Sequence, residues 1–469
     1  MEYKIYCGGE FITTEKKMEV RNPYSGEVFA HTYQASEKVL NEAIQKAEKI
    51  KEELRRLPSW KKSEVLLQIA SELKAKKDHL ARIMTMESGK PIRYSLGEID
   101  RSIQTFTIAA EECKRLPREY LALDWTATGE NKEGLIKYFP IGLVAGIAPF
   151  NFPMNLAVHK LAPAIAASCP IILKPASATP LSTLELAKII NDTDLPKGSV
   201  SILPCDRKTG NMLVTDQRFK LLSFTGSPEV GWEMKKNAGK KKVVLELGGN
   251  AGVIVSASAN LDLALKKGIV AGFAYSGQIC IHAQRFFVHE DLYAEFLKRF
   301  VIAAKELKQG DPMEAATEIS SMIDQDNANR VESWINEAID SGAKLVCGGK
   351  KQGAYMEPTV LTNTSAKMKV NCEEIFGPVV CIEKIKDINE GIAKINDTRF
   401  GLQCGVFTNS IEEMDLCFEK LEVGGVILND VPTLRLDHMP YGGVKDSGLG
   451  REGVKYTLMD MMEPKILVK

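Results

Sequence analysis

The apolar residues of this chain repeat with two different spacings, and the spacing changes near residue 143. Before that point they recur every three or four residues, which is typical of a helix with one buried face. Ser36 is a good helix-capping residue, and apolar positions from Leu40 to Ile50 follow it at this spacing. A second segment of the same kind begins at about Trp60. The pattern therefore predicts at least two amphipathic helices in this part of the chain.

After residue 143, short apolar runs alternate with helical segments. The runs LVAGIA, IILK, VSIL, LLSF and KVVLEL are separated by predicted helices near 153–168, near 181–191 and after Ser227. A second series begins near residue 251, with the runs AGVIVS, RFFVH, PTVL, VVCIEKI, CGVFT and GGVIL. Continuously apolar strands are buried on both faces, as in parallel sheets covered by helices. We therefore predict an α/β fold with doubly wound parallel sheets. The β-prone tail, EPKILVK, is expected to add to a sheet edge, such as that of another subunit.

Length and charge limit the classes of partner. The 469 residues exceed one ordinary core, so two or three domains are expected. Basic and acidic residues both number 61, so neither nucleic acid nor a membrane surface is expected as the main partner. The apolar segment 141–158 contains prolines and asparagines, which favours a buried strand, loop and helix over a membrane span. The first residues lack the apolar run of a secretory signal, so a cytoplasmic location is expected.

The ten cysteines and six histidines do not predict a metal site. There is no C-x-x-C pair, and the histidines do not lie near the cysteines at the spacing of zinc ligands. In the expected compartment the thiols should stay reduced. One of them, Cys280, stands in YSGQICIHAQRFF between a polar turn and an apolar run. That stretch alone does not decide between a buried thiol and a nucleophile.

Candidate binding residues lie where predicted strands end. After LLSF, the turn Thr225, Gly226 and Ser227 leads into a helix with Gly231 in its first turns. Such a helix start offers free N–H groups and a positive dipole end to a phosphate, although a plain turn explains the same residues. Lys174 ends the strand IILK at the sheet edge where doubly wound folds bind nucleotides, and it is equally compatible with an ordinary surface position.

Two polar residues have unusual settings. Glu246 lies in an apolar strand, where a buried carboxylate needs either a structural partner or a role as a general base with a raised pKa. Asn151 stands between prolines in APFNFPMN, where its amide suits an oxyanion hole but is also an ordinary turn residue. The combination and order of these motifs carry more information than any one of them.

Seven motifs occur in an order that resembles the aldehyde dehydrogenase superfamily over essentially the whole chain. They are PFNFP, LKPA, FTGS, LELGGN, GQICIHAQR, EEIFGPV and PYGGVKDSGLGREG. The resemblance implies two doubly wound domains and a small β element for oligomerisation. The dinucleotide-binding domain would comprise 1–124 and 143–246, the catalytic domain 247–434, and the bridging element 125–142 and 435–469. A homodimer or homotetramer is expected.

The resemblance also implies a nucleophilic mechanism. The Cys280 thiolate would attack the aldehyde carbon, and the oxyanion of the resulting thiohemiacetal would be held by the Asn151 amide and the Cys280 backbone N–H. Hydride transfer to a nicotinamide would leave a thioester. Glu246 would then activate water to release the carboxylic acid, and Lys160 would assist proton movement near Glu246.

For the cofactor, the resemblance implies contacts along the whole dinucleotide. They are Lys174 at the adenosine ribose, Thr225, Gly226, Ser227 and Gly231 near the pyrophosphate, and Glu374 and Phe376 at the nicotinamide ribose and ring. Relatives selective for NAD often carry glutamate where this chain has Ser177. Serine does not repel a 2′-phosphate and Lys174 is near, so NAD or NADP is expected, with a lean to NADP.

The expected substrate is a small aliphatic aldehyde with a hydroxylated or anionic tail. The segment MPYGGVKDSGLGREGVKY most resembles the lactaldehyde and succinate-semialdehyde branches, which makes lactaldehyde the first expectation and succinate semialdehyde the alternative. Arg435 and His438 are expected to bind the tail; alternatively, Arg435 pairs with Asp437 at the rim. The other residues expected at the pocket or its entry tunnel are Phe150, Ile279, Ile281 and His282.

Three rival interpretations differ in class. A coenzyme-A-acylating relative generally lacks the glutamate base, whereas Glu246 is present. A thiol hydrolase needs a histidine positioned on Cys280, and His282 is close only in sequence. A non-catalytic member would be expected to have lost Cys280, Glu246 or Asn151, and all three are present.

Overall fold

The computed structural model describes residues 1–469, which form helices and strands throughout. The helices are α1 (Glu37–Arg56), α2 (Ser59–Ala75), α3 (Lys77–Ser88), α4 (Ile92–Glu112), α5 (Asn155–Ala166), α6 (Leu181–Asn191), α7 (Arg207–Thr215), α8 (Pro228–Asn237), α9 (Leu261–Phe273), α10 (Glu290–Glu306), α11 (Gln325–Asp340), α12 (Lys369–Cys372), α13 (Ile388–Asn396), α14 (Ile411–Lys420) and α15 (Val454–Asp460). Single 3-10 turns occur at Ala127–Gly129 and Ala274–Gly277.

The strands are β1 (Ile5–Cys7), β2 (Glu10–Ile12), β3 (Lys17–Arg21), β4 (Val28–Tyr33), β5 (Arg118–Ala122), β6 (Glu133–Pro140), β7 (Val144–Ile147), β8 (Ile171–Lys174), β9 (Val200–Ile202), β10 (Leu221–Thr225), β11 (Lys242–Glu246), β12 (Gly252–Val255), β13 (Arg285–His289), β14 (Lys344–Cys347), β15 (Lys351–Gln352), β16 (Tyr355–Met356), β17 (Thr359–Thr362), β18 (Val379–Ile385), β19 (Phe400–Gly401), β20 (Gln403–Phe407), β21 (Gly425–Leu428), β22 (Val444–Lys445), β23 (Gly448–Leu449) and β24 (Met462–Val468).

The first sheet has the order β2-β1-β9-β8-β7-β10-β11-β23, and its five strands from β9 to β11 are parallel. The chain proceeds from β7 outward to β9 and then returns to β10 and β11 on the other side. The strand order therefore reverses between β7 and β10, and in open α/β sheets ligands bind at the carboxyl ends next to such a reversal. Asn151 follows β7, and Gly226 follows β10, so both lie at this point.

Helices cover both faces of the first sheet. One apolar core of 48 buried residues includes Leu66 of α2 and Leu161 of α5, and a second core of 21 includes Ile44 of α1. The predicted cap of α1 is present, since the Ser36 side chain accepts a hydrogen bond from the Val39 N–H at 3.4 Å. The second predicted helix begins at Ser59, one residue before Trp60.

The second sheet has the order β14-β17-β18-β13-β12-β20-β21, and all its strands except β14 are parallel. Each of the six apolar runs after residue 251 forms one of these strands. The predicted α/β class with two doubly wound sheets is confirmed. The loop that carries Cys280 immediately precedes β13, so the second sheet presents the cysteine toward the first.

A small third sheet has the order β24-β6-β5. The β-prone tail adds to a sheet edge as expected, but to β6 of its own chain, with Ile466 opposite Ile136. The other edge strand, β5, begins at Arg118, so this sheet includes residues before position 125. The segment 141–158 forms β7, a loop and the start of α5, and none of the helices is both long and apolar enough to span a membrane.

Candidate active site

A cleft of about 570 Å³ lies between the two large sheets. The first sheet contributes the loop after β7, the start of α8 and the end of β11. The other wall contains Cys280, two residues of α11 and the loop from Glu373 to Phe376. The cleft therefore brings Asn151, Glu246, Glu374 and the cysteine to one place from distant parts of the sequence.

The turn before Cys280 has a tight backbone. Tyr275, Ser276 and Gly277 have φ values of 50°, 52° and 69°, which are left-handed conformations that side chains other than hydrogen disfavour. A Cβ at Gly277 would lie 2.1 Å from the carbonyl oxygen of Gly377, so only glycine fits there. This turn fixes the position at which Cys280 enters the cleft wall.

The Cys280 thiol is uncharged at rest. Burial raises its pKa to about 11, although a hydrogen bond with Tyr441 and the charge of Arg435 act in the opposite direction. The Tyr441 Oη atom lies 3.1 Å from Cys280 Sγ. Attack by this sulfur therefore requires deprotonation, because the thiolate is the nucleophilic form.

Asn151 is tied to the loop that carries Cys280. Its Nδ2 donates a hydrogen bond of 3.0 Å to the backbone carbonyl of Gln278, and the side chain is buried. An amide nitrogen has two N–H groups, so one remains free to donate to a ligand in the cleft. The structure places this donor and Cys280 in the lining of the same cleft.

Glu246 ends β11 and is almost completely buried. Neither of its carboxylate oxygens has a hydrogen-bond partner. Burial and the charge of Glu452 raise the pKa of Glu246 well above its usual range, with Arg435 and Lys160 acting in the opposite direction. The sequence left two roles open for Glu246. The structure shows no structural partner for its carboxylate, and it shows the buried carboxyl with a raised pKa that the second role requires.

Lys160 contacts Glu452 instead of bonding directly to Glu246. Its Nζ donates to Glu452 Oε1 at 3.0 Å and to Thr225 Oγ1 at 2.7 Å, and the lysine is fully buried. Arg435 Nη2 donates to the other Glu452 oxygen at 2.8 Å. Burial disfavours the charged form of Glu452, but these two cations outweigh it and hold its pKa below the usual range.

The predicted pairing of Arg435 with Asp437 is wrong. Asp437 accepts hydrogen bonds of 2.7 Å from Arg101 Nη2 and His159 Nε2, while Arg435 pairs with Glu452. Burial opposes the charge of Asp437, yet His159 and Arg101 keep its pKa below the usual range. The reason is that each side chain has a partner from a distant segment, Glu452 for Arg435 and Arg101 and His159 for Asp437, which neighbouring positions in the sequence do not reveal.

His282 does not contact the Cys280 sulfur. Its Nε2 lies 2.9 Å from the Gly272 carbonyl at the end of α9, and burial lowers its pKa to about 4. The histidine is outside the cleft lining, as is the exposed His438. The histidine–thiol arrangement of a hydrolase is therefore absent.

Of the remaining predicted pocket residues, one lines the cleft and two pack in an apolar cluster beside Cys280. Phe150 lines the cleft and meets Phe376 edge-on, with ring centroids 5.8 Å apart. Ile281 belongs to a small apolar cluster with Leu402 and Tyr441, against which Ile279 packs. These side chains give the cysteine an apolar surrounding on the side away from the cleft.

The nicotinamide end of the predicted cofactor site has suitable groups. Glu374 Oε1 accepts a hydrogen bond of 3.1 Å from the Gly249 N–H, and its second oxygen has no such partner. Burial raises the pKa of Glu374 to about 8. A Cβ at Gly248 would lie 2.1 Å from that carboxylate, so glycine is required for the close approach. A carboxyl with a free acceptor beside the Phe376 ring fits a ribose and a flat base.

The phosphate end also fits. Ser227 precedes α8 and does not cap the helix by its side chain, and helix N-termini of this kind bind anions; the Glu229 carboxylate lies at the same helix start. Gly226 lines the cleft, whereas Gly231 does not; a Cβ there would lie 2.4 Å from Leu247 Cδ2, so this glycine permits close packing of helix on strand. Half-buried Lys174 ends β8 and exposed Ser177 follows it, and both lie outside the cleft lining.

Several site residues were missed in the sequence. Arg399 joins both walls of the cleft through ion pairs with Glu229 at 2.9 Å and Glu373 at 2.7 Å, and Arg330 and Trp334 of α11 line the same space. Tyr441 and Glu452 lie within the recognised motif PYGGVKDSGLGREG, which is the only signal that could have found them. Their partners become visible only when the C-terminal segment folds against β11 and α5.

Comparison with known proteins identifies the family. The profile of the Aldehyde dehydrogenase family matches residues 11–467, and the chain belongs to this family. All of the chain aligns at 41% identity with 98% of a 3-sulfolactaldehyde dehydrogenase from Priestia megaterium. A lactaldehyde dehydrogenase from Methanococcus aeolicus is 40% identical over 99% of both chains.

A solved structure shows the same fold over the whole molecule. Aldehyde dehydrogenase 21 from Physcomitrella patens, in complex with the reaction product succinate, has a TM-score of 0.98 and 45% identity over 100% of this chain and 98% of that one. Other similar structures hold NADP or NAD. The chain is therefore an aldehyde dehydrogenase, an oxidoreductase that acts on the aldehyde group.

Proposed function

We propose that this enzyme oxidises a small aliphatic aldehyde with a hydroxylated or anionic tail to its carboxylic acid, with lactaldehyde as the first candidate and succinate semialdehyde as the alternative. The observation that carries the proposal is that Cys280, Asn151 and Glu246 line one cleft. The names of the relatives, lactaldehyde and sulfolactaldehyde dehydrogenase, and the succinate held by the moss structure, support this substrate class.

In the first step the Cys280 sulfur attacks the aldehyde carbon and forms a thiohemiacetal. The negative charge that develops on the former carbonyl oxygen is stabilised by the free N–H of Asn151 and by the backbone N–H of Cys280. Removing one such donor in other enzymes costs about 2.7–4 kcal/mol of transition-state stabilisation. The hydrogen bond from Asn151 to Gln278 holds the amide in place for this role.

A bound nicotinamide would supply the acceptor for the hydride that leaves the thiohemiacetal carbon, and the substrate would then be held on Cys280 as a thioester. Glu374 and Phe376 would hold the ribose and ring, and the start of α8 at Gly226 and Ser227 would hold the pyrophosphate. We propose dual use of NAD and NADP with a lean to NADP. Ser177 is exposed and carries no charge that would repel a 2′-phosphate, and Lys174 supplies a cation at the same sheet edge.

In the last step Glu246 takes a proton from water, which attacks the Cys280 thioester and releases the acid. A carboxyl whose pKa is raised by burial is a stronger base than an exposed one, which suits this task near neutral pH. The proton can then pass to solvent, and Lys160, whose buried ion pair with Glu452 lies next to Glu246, would assist this movement through its positive charge. The presence of this base opposes the alternative of acyl transfer to coenzyme A.

Arg435 remains the proposed contact for a polar substrate tail, although it lies behind the cleft lining and is engaged with Glu452. Only its Nη2 bonds to that carboxylate, and its buried Nε has no hydrogen-bond partner. An unpaired buried N–H is costly, so a group that accepts a hydrogen bond would be stabilised there. A hydroxyl, carboxylate or sulfonate tail has this property.

The exposed face of the third sheet supports a homodimer or homotetramer. The outer edge of β24 is unpaired, and Ile466, Leu467 and Val468 are each about half exposed. Unpaired edges with apolar side chains favour association with another chain. Trp125, on the neighbouring loop, is 89% exposed and adds to this apolar surface.

The proposed reaction is tested by turnover with purified enzyme. NADH and NADPH formation is measured with lactaldehyde, succinate semialdehyde, glycolaldehyde and propanal, each with and without coenzyme A. We expect turnover that does not depend on coenzyme A, that favours the polar aldehydes over propanal, and that Cys280→Ala abolishes. Activity retained by Cys280→Ala, or turnover only with coenzyme A, would contradict the proposal.

A further inference from the structure

The hydroxyl of Tyr441 is the one side-chain group that hydrogen-bonds to the sulfur of Cys280. Tyr441 Oη lies 3.1 Å from Cys280 Sγ and has no other hydrogen-bond partner. The tyrosine follows α14 and β21 in the chain and is only 2% exposed. Because Sγ is the atom that bonds to the aldehyde, a group in contact with it can change the rate of attack.

Three contacts hold the tyrosine in this position. Its backbone forms a two-way bridge with Glu452, with the Tyr441 N–H donating at 3.0 Å and the Glu452 N–H donating at 2.6 Å. The Arg435 guanidinium lies 3.8 Å from the centre of the tyrosine ring, a cation–π contact. The same guanidinium is fixed by its ion pair with Glu452. The orientation of the hydroxyl is therefore restricted by the backbone bridge and by the cation over the ring.

The hydroxyl can act on the thiol as a donor or as a base, and the structure favours the donor. Burial and the neighbouring Cys280 raise the pKa of Tyr441 well above its usual range, so the hydroxyl keeps its proton. A thiolate has no proton to donate, so once Cys280 ionises the hydrogen bond must run from Tyr441 to sulfur. Such a bond to an anion is stronger than one to the neutral thiol.

We propose that Tyr441 is a further catalytic residue, which donates a hydrogen bond to the Cys280 thiolate and promotes its formation, and that Arg435 is the positioning residue that holds the tyrosine ring. This inference rests on the proposed role of Cys280 as the nucleophile. The thiol proton is released to solvent or to a base, while Tyr441 keeps its own proton throughout. The other charged groups facing the sulfur are Arg435, which favours the thiolate, and Glu374 and Glu246, which oppose it.

The test measures how fast iodoacetamide alkylates Cys280 between pH 7.5 and 9.5. The extent of alkylation is read from the mass of the peptide that contains this cysteine. Tyr441→Phe removes only the donor oxygen. Because a lost hydrogen bond to a charged group typically changes an equilibrium by about tenfold or more, we expect alkylation on the order of tenfold slower at each pH. We also expect kcat/KM for the aldehyde to fall and its rise with pH to move to higher pH.

A matched control and a variant of opposite effect complete the test. Tyr293→Phe removes another partly buried hydroxyl, which bonds to the Ile382 carbonyl far from the cleft, and should leave alkylation unchanged. Replacing Tyr441 with 3-fluorotyrosine makes the hydroxyl a stronger hydrogen-bond donor with almost no change in size, so alkylation should become faster. This second variant keeps the inference testable if Tyr441→Phe folds poorly. Equal rates in wild type and either Tyr441 variant would overturn the inference.

Alkylation needs neither aldehyde nor cofactor, so it separates this inference from the proposed function. Slow alkylation of Tyr441→Phe together with a wild type that oxidises no aldehyde would refute the proposed function alone. Normal alkylation of Tyr441→Phe in an enzyme that turns over through Cys280 would refute the role of Tyr441 alone.

Discussion

At the scale of single residues, the environment of the proposed catalytic and cofactor-binding groups is set more by burial than by direct pairing. Cys280, Glu246 and Glu374 are all in surroundings that disfavour charge, and burial raises the pKa of each. Groups of this kind are common at active sites, because their protonation can change near the pH at which the enzyme works. Lys160 and Arg435 form ion pairs with Glu452, so the charged groups of this region lie in one buried cluster.

The proposed lean to NADP rests on single residues, Ser177 and Lys174. Ser177→Glu would place a carboxylate near the position expected for a 2′-phosphate. Two like charges about 4 Å apart near a protein surface repel by about 1–4 kcal/mol. We expect the ratio of kcat/KM for NADP to that for NAD to fall by roughly tenfold or more.

The control for this substitution is Ser177→Ala, which adds no charge at the same exposed position and should leave the ratio nearly unchanged. A wild type with a large preference for NAD would contradict the lean to NADP. A Ser177→Glu variant with an unaltered ratio would show that this residue does not face the phosphate.

At the scale of helices and strands, two buried glutamates bind the N-termini of α5 and α6, the helices that follow β7 and β8. Glu98 of α4 accepts hydrogen bonds from the N–H groups of Met154 and Asn155 at the start of α5. Glu87 of α3 does the same for Leu181 and Ser182 at the start of α6. Carboxylates suit helix N-termini because free N–H groups and the dipole favour negative charge there.

Glu87 gives a prediction for stability against pH. Burial outweighs the hydrogen bonds from Ser182 and Leu181 and raises the pKa of Glu87 from an ordinary 4.5 to about 7. Folding therefore favours the protonated form. The resulting stabilisation is complete below about pH 4.5 and is lost as the pH rises through about 7, up to about 3 kcal/mol in total.

The measurement is the thermal midpoint of wild type and Glu87→Gln from pH 5 to pH 8. We expect the wild type to lose stability relative to the variant as the pH rises, because glutamine does not ionise. Glu419→Gln changes an exposed glutamate of α14 and should run parallel to the wild type. Parallel curves for Glu87→Gln as well would mean that Glu87 titrates normally.

The regular elements could be predicted from the sequence where the apolar pattern is strong. All eleven apolar runs from residue 143 onward form strands of the two large sheets, and most of these strands are buried on both faces; the edge strand β21 is the exception. The short strands β1 to β4 and the hairpin β15–β16 were not predicted. They contain two to six residues with mixed exposure, and so they have too little periodicity to stand out.

At the scale of the whole molecule, the site depends on contacts that join distant segments. Asn151 is tied to the loop of Cys280 across 127 residues, Lys160 to Glu452 across 292, and Cys280 to Tyr441 across 161. The resemblance to a family identified the residues Cys280, Glu246 and Asn151 by their motifs. The resemblance did not identify Tyr441, Glu452 and Arg399, which contact these residues or the cleft walls. Their positions depend on how the C-terminal segment and the two large sheets pack together.

The most direct test of the proposed mechanism is to trap the intermediate. Glu246→Gln, mixed with aldehyde and NADP or NAD and quenched within milliseconds to seconds, is analysed by intact mass and by peptide mapping. Without the base, hydrolysis should be slow, so we predict a covalent adduct on Cys280 with the mass of the aldehyde less two hydrogen atoms, formed with one equivalent of reduced cofactor. Full turnover by Glu246→Gln, or no adduct on Cys280 while the wild type turns over, would contradict the account.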